Sequence, residues 1–188
     1  MFAVDGVEPL PEVRVITSQR IEDERGWLTE TFNADAFAEE ELPTGFVQEN
    51  ESHTLRSGTL RGLHYQVGEA AQGKLARCVA GRLVSVAVDL REGSATYGDW
   101  VACRLGADRT VQMWVPRGFA HGVWTLEDQT RLVSKLTRAF DEERARSLAW
   151  NDPALGIDWP GEDPHLSEKD AQASGLSEAE PCLRAEAW

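Results

Sequence analysis

Short apolar runs rich in β-branched residues fill the middle of the chain, and Gly, Asp and Asn residues separate them. This pattern is typical of short β-strands joined by tight turns. The predicted strands cover residues 13–21, 27–32, 46–51, 59–66, 74–80, 83–90, 100–105, 110–115, 122–126 and 131–140. So many strands in so short a chain predict an all-β protein, either an antiparallel sandwich or a barrel.

The stretch KLARCVAGRLVSVAVDL, residues 74–90, contains the most apolar pair of predicted strands. Ala80, Gly81 and Arg82 separate the two strands, which predicts a hairpin turn there. The second strand is apolar at nearly every position, so it should be buried on both faces. We therefore expect this pair at the centre of the core.

Helix signals are few and short. Residues 35–42 begin at the capping residue Asp35 and stop before Pro43, and residues 141–147 form a second candidate. Each segment predicts a peripheral helix of about two turns.

The chain changes character after residue 160, where it becomes acidic and weakly patterned. This composition predicts a loose tail at 161–188, with either irregular structure or a short helix near 167–173. The length favours a single domain over residues 1–188, with its core at about 13–160.

The composition is that of a packed globular protein, with 41% hydrophobic and 27% charged residues. The 19 Lys and Arg against 32 Asp and Glu give a net charge of −13, which repels nucleic acid and anionic membrane surfaces. No apolar run is long enough to span a membrane, and the first residues do not resemble a signal peptide, so we expect a cytoplasmic protein. Cys78, Cys103 and Cys182 form no CxxC pair and predict neither a zinc site nor a disulfide framework.

Two of the four histidines, His64 and His121, lie in strand-like segments beside glycines. A catalytic metal needs three or four protein ligands, and the residue two places after His64 is Gln66, so the sequence disfavours a metal site. A neutral imidazole instead suits proton transfer, because its pKa lies near working pH. A structural ring bonded to a backbone carbonyl remains the alternative for either histidine.

A series of short motifs runs from about residue 13 to residue 175. They are DERG at 23–26, VQEN at 47–50, LRGLHYQ at 60–66, QGKL at 72–75, VAVDLR at 86–91, YGDW at 97–100, WVPRGFAHG at 114–122, WNDP at 150–153, GIDWP at 156–160 and LSEKD at 166–170. In this order and spacing they resemble the motifs of the dTDP-4-dehydrorhamnose 3,5-epimerase family.

The resemblance implies an antiparallel, cupin-like jelly-roll barrel with short peripheral helices, assembled as a homodimer. It implies a dTDP-4-keto-6-deoxyhexose substrate in the barrel lumen, with no metal and no other cofactor. A ketone at C4 acidifies the C–H bonds at C3 and C5, so one base can remove either proton if the enolate oxygen is stabilised. By resemblance, His64 is that base, Asp170 orients its ring, and Lys74 lies beside the oxygen.

The resemblance also implies the residues that bind the substrate. Arg25, Glu30, Gln48, Asn50 and Arg61 correspond to contacts with the pyrophosphate and thymidine, and His121 to a sugar contact. Strict strand alternation would point the side chains of Arg61 and His64 to opposite faces, so we expect a bulge or kink at Gly62. Without one, Arg61 would act from the rim or across the dimer.

Two positions depart from the family pattern. Ser134 stands where the family usually has a Tyr that donates a proton to the opposite face of the sugar, and Ala139 and Phe140 replace a pair of aromatics. Ser134 and Phe140 are still expected to line the substrate site. A serine hydroxyl is a far weaker acid than a phenol, whose pKa is about 10.

The only two tyrosines do not replace this acid. Tyr65 should face away from His64, and Tyr97 falls in a turn. We therefore predict an epimerase that favours C3 over C5, with solvent or His121 returning the proton. The alternatives are an isomerase of the same ketosugar, a non-catalytic protein that binds nucleotide sugars, and a metal-dependent cupin enzyme.

Overall fold

A computed structural model describes residues 2–187. Its strands are β1 (Phe2–Val7), β2 (Leu10–Ser18), β3 (Arg20–Asp23), β4 (Gly26–Thr29), β5 (Gln48–Thr54), β6 (Leu60–Gln66), β7 (Lys74–Ala80), β8 (Arg82–Asp89), β9 (Arg91–Glu92), β10 (Trp100–Gly106), β11 (Val111–Val115), β12 (Phe119–Thr125), β13 (Thr130–Leu136), β14 (Ala145–Ser147) and β15 (Leu183–Arg184). The helices are α1 (Ala34–Glu39) and α2 (Glu168–Ala171), with short 3-10 turns at Gly68–Ala70, Leu176–Glu178 and Ala185–Ala187.

The strands form two large antiparallel sheets. The six-stranded sheet has the order β1-β2-β11-β7-β13-β5, and the five-stranded sheet has the order β10-β8-β12-β6-β14. Apolar side chains from both sheets, among them Val13, Met113, Val101 and Phe119, pack into one buried cluster between them. The predicted all-β jelly roll is therefore confirmed.

The predicted hairpin at Gly81 is wrong. Strand β7 belongs to the six-stranded sheet and β8 to the five-stranded sheet, so the chain crosses between sheets at Gly81. Gly81 has φ +71, and a Cβ there would lie 2.4 Å from the Thr130 hydroxyl, so the crossing needs glycine. Strand β8 is buried on both faces after Arg82, as predicted, because its alternate side chains pack into two different apolar clusters.

One of the two predicted helices within the core region is present. The cap of helix α1 is Asn33, two residues before the predicted cap, and the Asn33 side chain accepts the N–H of Ala36. The helix predicted at 141–147 is wrong. The Asp141 carboxylate accepts the N–H groups of Glu143 and Arg144, which makes a turn, and β14 then pairs with β6.

The ends of the chain differ from the prediction. The first residues form β1, whose partner is β2, although no strand was predicted there. Of the two alternatives near 167–173, irregular structure or a short helix, the helix is present as α2, with Ser167 as its cap. The prediction of a loose C-terminal tail is wrong. Cys182 is buried and donates its N–H to the Leu90 carbonyl, and β15 pairs in parallel with β9.

Some observed strand boundaries also differ from the predicted ones. The predicted strand 13–21 is interrupted between β2 and β3, which leaves β3 and β4 to form a separate two-stranded ribbon. Strand β13 stops at Leu136, so residues 137–140 lie outside the strand that was predicted to contain them. In the part of the chain that the structure describes, no helix has the length and apolar character needed to cross a membrane.

Candidate active site

A cavity of about 660 Å³ is lined by side chains from both large sheets and from the segment that carries α2. Strand β6 contributes one wall, strands β5 and β13 contribute another, and residues 165–170 close one side. Eight of the sequence-predicted site residues line it. They are Asn50, Arg61, His64, Lys74, His121, Ser134, Phe140 and Asp170.

A bulge in β6 brings Arg61 and His64 to the same cavity. His64 pairs with His121 on β12, whereas Arg61 pairs with Val123, so β6 has one extra residue between the two pairs. That extra residue allows both side chains to line the cavity, as predicted. Gly62 lies in the bulge with φ +128, and a Cβ there would be 2.6 Å from Cα of Gly122.

His64 and Asp170 form a hydrogen-bonded pair. His64 Nε2 lies 2.5 Å from Asp170 Oδ1, and the carboxylate also accepts the N–H of Gly62 at 3.4 Å. Burial alone would raise the pKa of Asp170, but the hydrogen bond and charge of His64 outweigh it, so this pKa is lowered. When Nε2 donates to the carboxylate, Nδ1 carries the lone pair of the neutral ring.

The two side chains of this pair differ in their exposure to solvent. The Asp170 side chain is only 4% exposed, whereas the His64 side chain is 41% exposed. The carboxylate is therefore fixed in the protein while the imidazole can meet a ligand. This arrangement suits a general base with an orienting carboxylate.

Lys74 lies beside this pair. Its ammonium donates to the backbone carbonyl of His64 at 3.0 Å. Burial lowers the pKa of Lys74 to about 8. At neutral pH the group is therefore mostly a cation inside the cavity, where it can stabilise a developing negative charge on oxygen.

His121 is buried, and its Nε2 lies 2.8 Å from the Ser85 hydroxyl. Burial, followed by the charges of Lys74 and His64, lowers the pKa of His121 to about 3. The ring is neutral at physiological pH. The alternative of a backbone-bonded structural histidine is wrong for both rings, because His64 and His121 bond to side chains.

The wall opposite β6 carries both polar and apolar side chains. Asn50 on β5 pairs directly with Ser134 on β13, and both line the cavity. Gln48 lies next to this wall but does not line the cavity in the structure. Its Nε2 donates to Asn50 Oδ1 at 3.0 Å, and its Oε1 accepts the N–H of Phe140 at 2.8 Å.

Arg25 and Glu30 are not brought to this cavity. Arg25 lies at the turn of the exposed β3–β4 ribbon, where it pairs with Asp23 at 2.5 Å. Glu30 follows β4 and accepts a hydrogen bond from the Asn33 side chain at 2.9 Å. Within a single subunit, these two predicted substrate contacts therefore stand apart from His64.

Three cavity residues with basic side chains were missed by the sequence reasoning. Lys169 precedes Asp170 on α2, Arg146 lies on β14, and His165 precedes the helix. Lys169 is part of the LSEKD motif and was detectable there, whereas Arg146 was assigned to a helix that does not exist. Among residues 2–187, no three His, Cys, Asp or Glu side chains gather in a way that would hold a metal ion.

Comparisons with known proteins identify the family of the chain. The sequence profile of the dTDP-4-dehydrorhamnose 3,5-epimerase family matches residues 8–178. The chain is 46% identical to the dTDP-4-dehydrorhamnose 3,5-epimerase of Pseudomonas aeruginosa over 173 residues, which cover 91% of this chain and 94% of that protein.

Two solved structures extend the comparison. A dTDP-6-deoxy-D-glucose-3,5-epimerase from Legionella pneumophila, in complex with dTDP-4-keto-L-rhamnose, is 38% identical with a TM-score of 0.90, covering 96% of this chain and 95% of that one. A 3'-monoepimerase from Streptomyces bikiniensis, in complex with dTDP-quinovose, is 29% identical with a TM-score of 0.89, covering 98% of this chain and 94% of that one. The chain therefore belongs to the dTDP-4-dehydrorhamnose 3,5-epimerase family.

Proposed function

We propose that this protein epimerises a dTDP-4-keto-6-deoxyhexose by removing a proton next to the 4-ketone, with C3 favoured over C5. The observation that carries the proposal is the His64–Asp170 pair in a cavity of about 660 Å³, in a chain of this epimerase family. We propose that residues 1–188 act as one domain, because the segment after residue 160 supplies Asp170 to a cavity built by the sheets.

The first step is proton removal by His64. Nδ1 of the neutral ring takes the proton from the carbon, and the resulting imidazolium is stabilised by the Asp170 carboxylate. The electron pair of the broken C–H bond forms the enolate, with negative charge on the C4 oxygen. Lys74 supplies a cation for that oxygen, since its ammonium lies within the same cavity.

The diphosphate requires cations in a protein whose net charge is −13. Arg61 and Lys169 both line the cavity and are suited to phosphate oxygens. Asn50 and His121 offer polar contacts to the nucleoside and the sugar. Phe140 offers an aromatic face at the rim, and Gln48 holds the backbone there.

A homodimer explains the two predicted contacts that lie outside the cavity. The β3–β4 ribbon exposes three apolar side chains, Ile21 at 65%, Trp27 at 52% and Leu28 at 69%. Such a cluster is typical of an interface between subunits. In this proposal the ribbon packs against a second copy, and Arg25 and Glu30 complete the partner's substrate site.

The enzyme is proposed to act in the cytoplasm. Cys78, Cys103 and Cys182 are free thiols in the structure. Unpaired cysteines agree with a reducing compartment.

Protonation on the second face of the sugar differs from the usual family pattern. His121 is a poor donor because its pKa is about 3, so it is not an imidazolium at neutral pH. The Tyr65 hydroxyl donates to the Glu180 carbonyl and Tyr97 lies in a turn. We therefore propose that water beside Ser134 returns the proton, which restricts efficient inversion to one carbon. The retained base, carboxylate and cation favour epimerisation over isomerisation or binding alone.

The test is incubation with dTDP-4-keto-6-deoxyglucose in deuterium oxide, followed by mass spectrometry and NMR of the sugar. We expect deuterium at C3 that requires His64, with much less at C5. Exchange at neither carbon would contradict the proposed epimerase. Equal exchange at both carbons would contradict the preference for C3 alone.

A further inference from the structure

Residues 137–141 connect β13 in the six-stranded sheet to the turn before β14 in the five-stranded sheet. This crossing segment contains no strand and no helix. It carries Phe140, whose ring lines the active-site cavity although the residue is 60% exposed. The segment therefore forms part of the rim of the cavity.

Three glutamine side chains hold the backbone of the crossing segment. Gln72 Nε2 donates to the carbonyl of Arg138 at 2.9 Å, and Gln66 Nε2 donates to the carbonyl of Ala139 at 3.2 Å. Gln48 Oε1 accepts the N–H of Phe140 at 2.8 Å. Gln66 Oε1 accepts the next N–H, that of Asp141, at 2.7 Å. We call Gln48, Gln66 and Gln72 the glutamine clamp.

The clamp reaches the segment from different parts of the fold. Gln48 begins β5 in one sheet, Gln66 ends β6 in the other, and Gln72 lies between β6 and β7. Gln66 is only 3% exposed, and its amide also donates to the Ala70 carbonyl at 2.7 Å. Leaving a buried amide without hydrogen-bond partners costs free energy. These bonds therefore hold the crossing segment in place.

The held segment fixes the position of the Phe140 ring at the rim of the cavity. An exposed aromatic ring gains little from contact with water, whereas a flat nucleoside base can stack on it. A ring on an irregular segment would move unless its backbone were held, and each mobile conformation would lower the fraction of protein ready to bind. The clamp bonds the residues on both sides of Phe140 and its own N–H.

We propose that Gln48, Gln66 and Gln72 are positioning residues that hold Phe140 as the stacking face for the nucleotide base of the substrate. The inference rests on the proposed function and adds a role to three glutamines, two of which, Gln66 and Gln72, also line the active-site cavity. It predicts that the clamp affects nucleotide affinity and leaves proton removal by His64 unchanged.

The test is a double-mutant cycle between Gln66→Met and Phe140→Ala. Methionine keeps the length of the side chain and removes its hydrogen bonds. We expect Gln66→Met to raise the Kd for dTDP and the KM by about tenfold, with kcat within about twofold, because only base stacking is lost. In the Phe140→Ala background, the same change should have no further effect on Kd.

Gln112→Met is the matched control. Gln112 is also 3% exposed, and its amide donates to the Thr31 carbonyl at 2.8 Å, but it lies outside the active-site cavity. Urea unfolding of both variants gives the loss of stability caused by removing one buried amide. Gln112→Met should leave the Kd for dTDP unchanged. Gln72→Met, which removes the bond to the Arg138 carbonyl, repeats the cycle if Gln66→Met does not fold.

Several outcomes would overturn the clamp. Additive effects of Gln66→Met and Phe140→Ala would show that the glutamine does not act through the ring. A fall in kcat with unchanged KM would place its role in the chemistry. If Gln112→Met lost as much dTDP affinity as Gln66→Met, the loss would follow from general destabilisation of the fold. By contrast, failure of the wild-type protein to bind dTDP or exchange protons would contradict the proposed function itself.

Discussion

His64 Nε2 lies 2.5 Å from Asp170 Oδ1, although 106 residues separate the two along the chain. The imidazole stands on β6, an interior strand of the five-stranded sheet, and the carboxylate stands on a helix of one turn. The Ser167 hydroxyl accepts the N–H of Asp170, so the helix cap itself fixes the carboxylate residue. A local capping motif thereby orients a side chain of the active site.

Asp170→Asn should reduce proton exchange strongly without abolishing substrate binding. Asparagine can still bond to the ring, but it can present its NH2 to Nε2 and favour the wrong tautomer, and it cannot stabilise the imidazolium. We expect kcat for exchange to fall by about 10²- to 10⁴-fold. Deuterium incorporation by mass spectrometry measures this, and dTDP calorimetry is the control. Exchange within twofold of the wild type would exclude Asp170 as the orienting group.

The pH profile of kcat/KM should fall as the pH rises through about 8, the lowered pKa of Lys74. Above that pH the amine is neutral and no longer stabilises the enolate oxygen. Lys74→Met should remove most of the activity at pH 7 and abolish this limb. A limb that persists in Lys74→Met would assign the titration to another group.

The same residue predicts an opposite trend in stability. The pKa of Lys74 is about 8 in the folded protein against its ordinary value of 10.5, so the unfolded chain binds the extra proton between these values. The contribution of Lys74 to the free energy of unfolding should therefore rise with pH over that window, by about 3 kcal/mol at most. Urea unfolding of the wild type and Lys74→Met at pH 7.5 and pH 10 measures the difference. If the wild type lost stability relative to Lys74→Met between pH 7.5 and pH 10, that result would contradict the lowered pKa of Lys74.

Ser134→Tyr should restore proton donation to the second face of the sugar. Ser134 lines the cavity on β13, in the sheet opposite the one that holds His64. We expect deuterium at C5 or turnover to rise by about tenfold or more if the missing acid limits the reaction. Ser134→Phe adds the same ring without a hydroxyl and should not do so. An unchanged product pattern in Ser134→Tyr would place the limitation elsewhere.

Gly62→Ala should destabilise the protein much more than Gly58→Ala. Both glycines have positive φ, but a Cβ at Gly62 would lie 2.6 Å from the Gly122 backbone, whereas Gly58 has open space. We expect a cost of about 1 kcal/mol at Gly58 and several kcal/mol at Gly62, where the bulge must shift. Urea unfolding measures both variants. Equal losses would mean that the close approach to Gly122 does not hold the bulge in place.

Leu28→Glu should dissociate the proposed dimer. Leu28 pairs with Ile21 across the β3–β4 ribbon, and both side chains are exposed in the single subunit. A buried charge at an apolar interface is costly, so we expect the Kd for dimerisation to rise by at least about a hundredfold. Light scattering at several concentrations measures this, and Ala102→Glu on the exposed edge strand β10 is the control. A wild-type monomer would refute the dimer directly.

The sequence predicted the sheet class, most strand positions and the main cavity residues because each depends on local pattern or motif. The β6 bulge was predictable, since Arg61 and His64 shared one motif but differed by three positions. The sheet change at Gly81 was not. A tight turn between two apolar strands has the same local sequence whether the strands pair or separate, and only the partners β10 and β13 decide the outcome.

Other differences have similar causes. Asp141 can cap a helix or close a turn, and pairing of β14 with β6 selects the turn. Cys182 and Leu183 give too short an apolar signal to predict that the last segment packs on the core. Gln48 was predicted to contact the ligand, yet its side chain bonds to the backbone at Phe140, because a chain crossing from sheet to sheet leaves polar groups that need partners.

His64 and Asp170 come together from distant parts of the chain. Catalytic activity therefore reports when the last of these parts has folded into place. A refolding molecule whose sheets have formed, but whose α2 segment has not yet reached β6, lacks the carboxylate that orients the imidazole. Isotope incorporation will therefore follow the arrival of that last segment, whereas circular dichroism will follow the sheets. The delay between the two signals measures how late in folding this enzyme becomes competent.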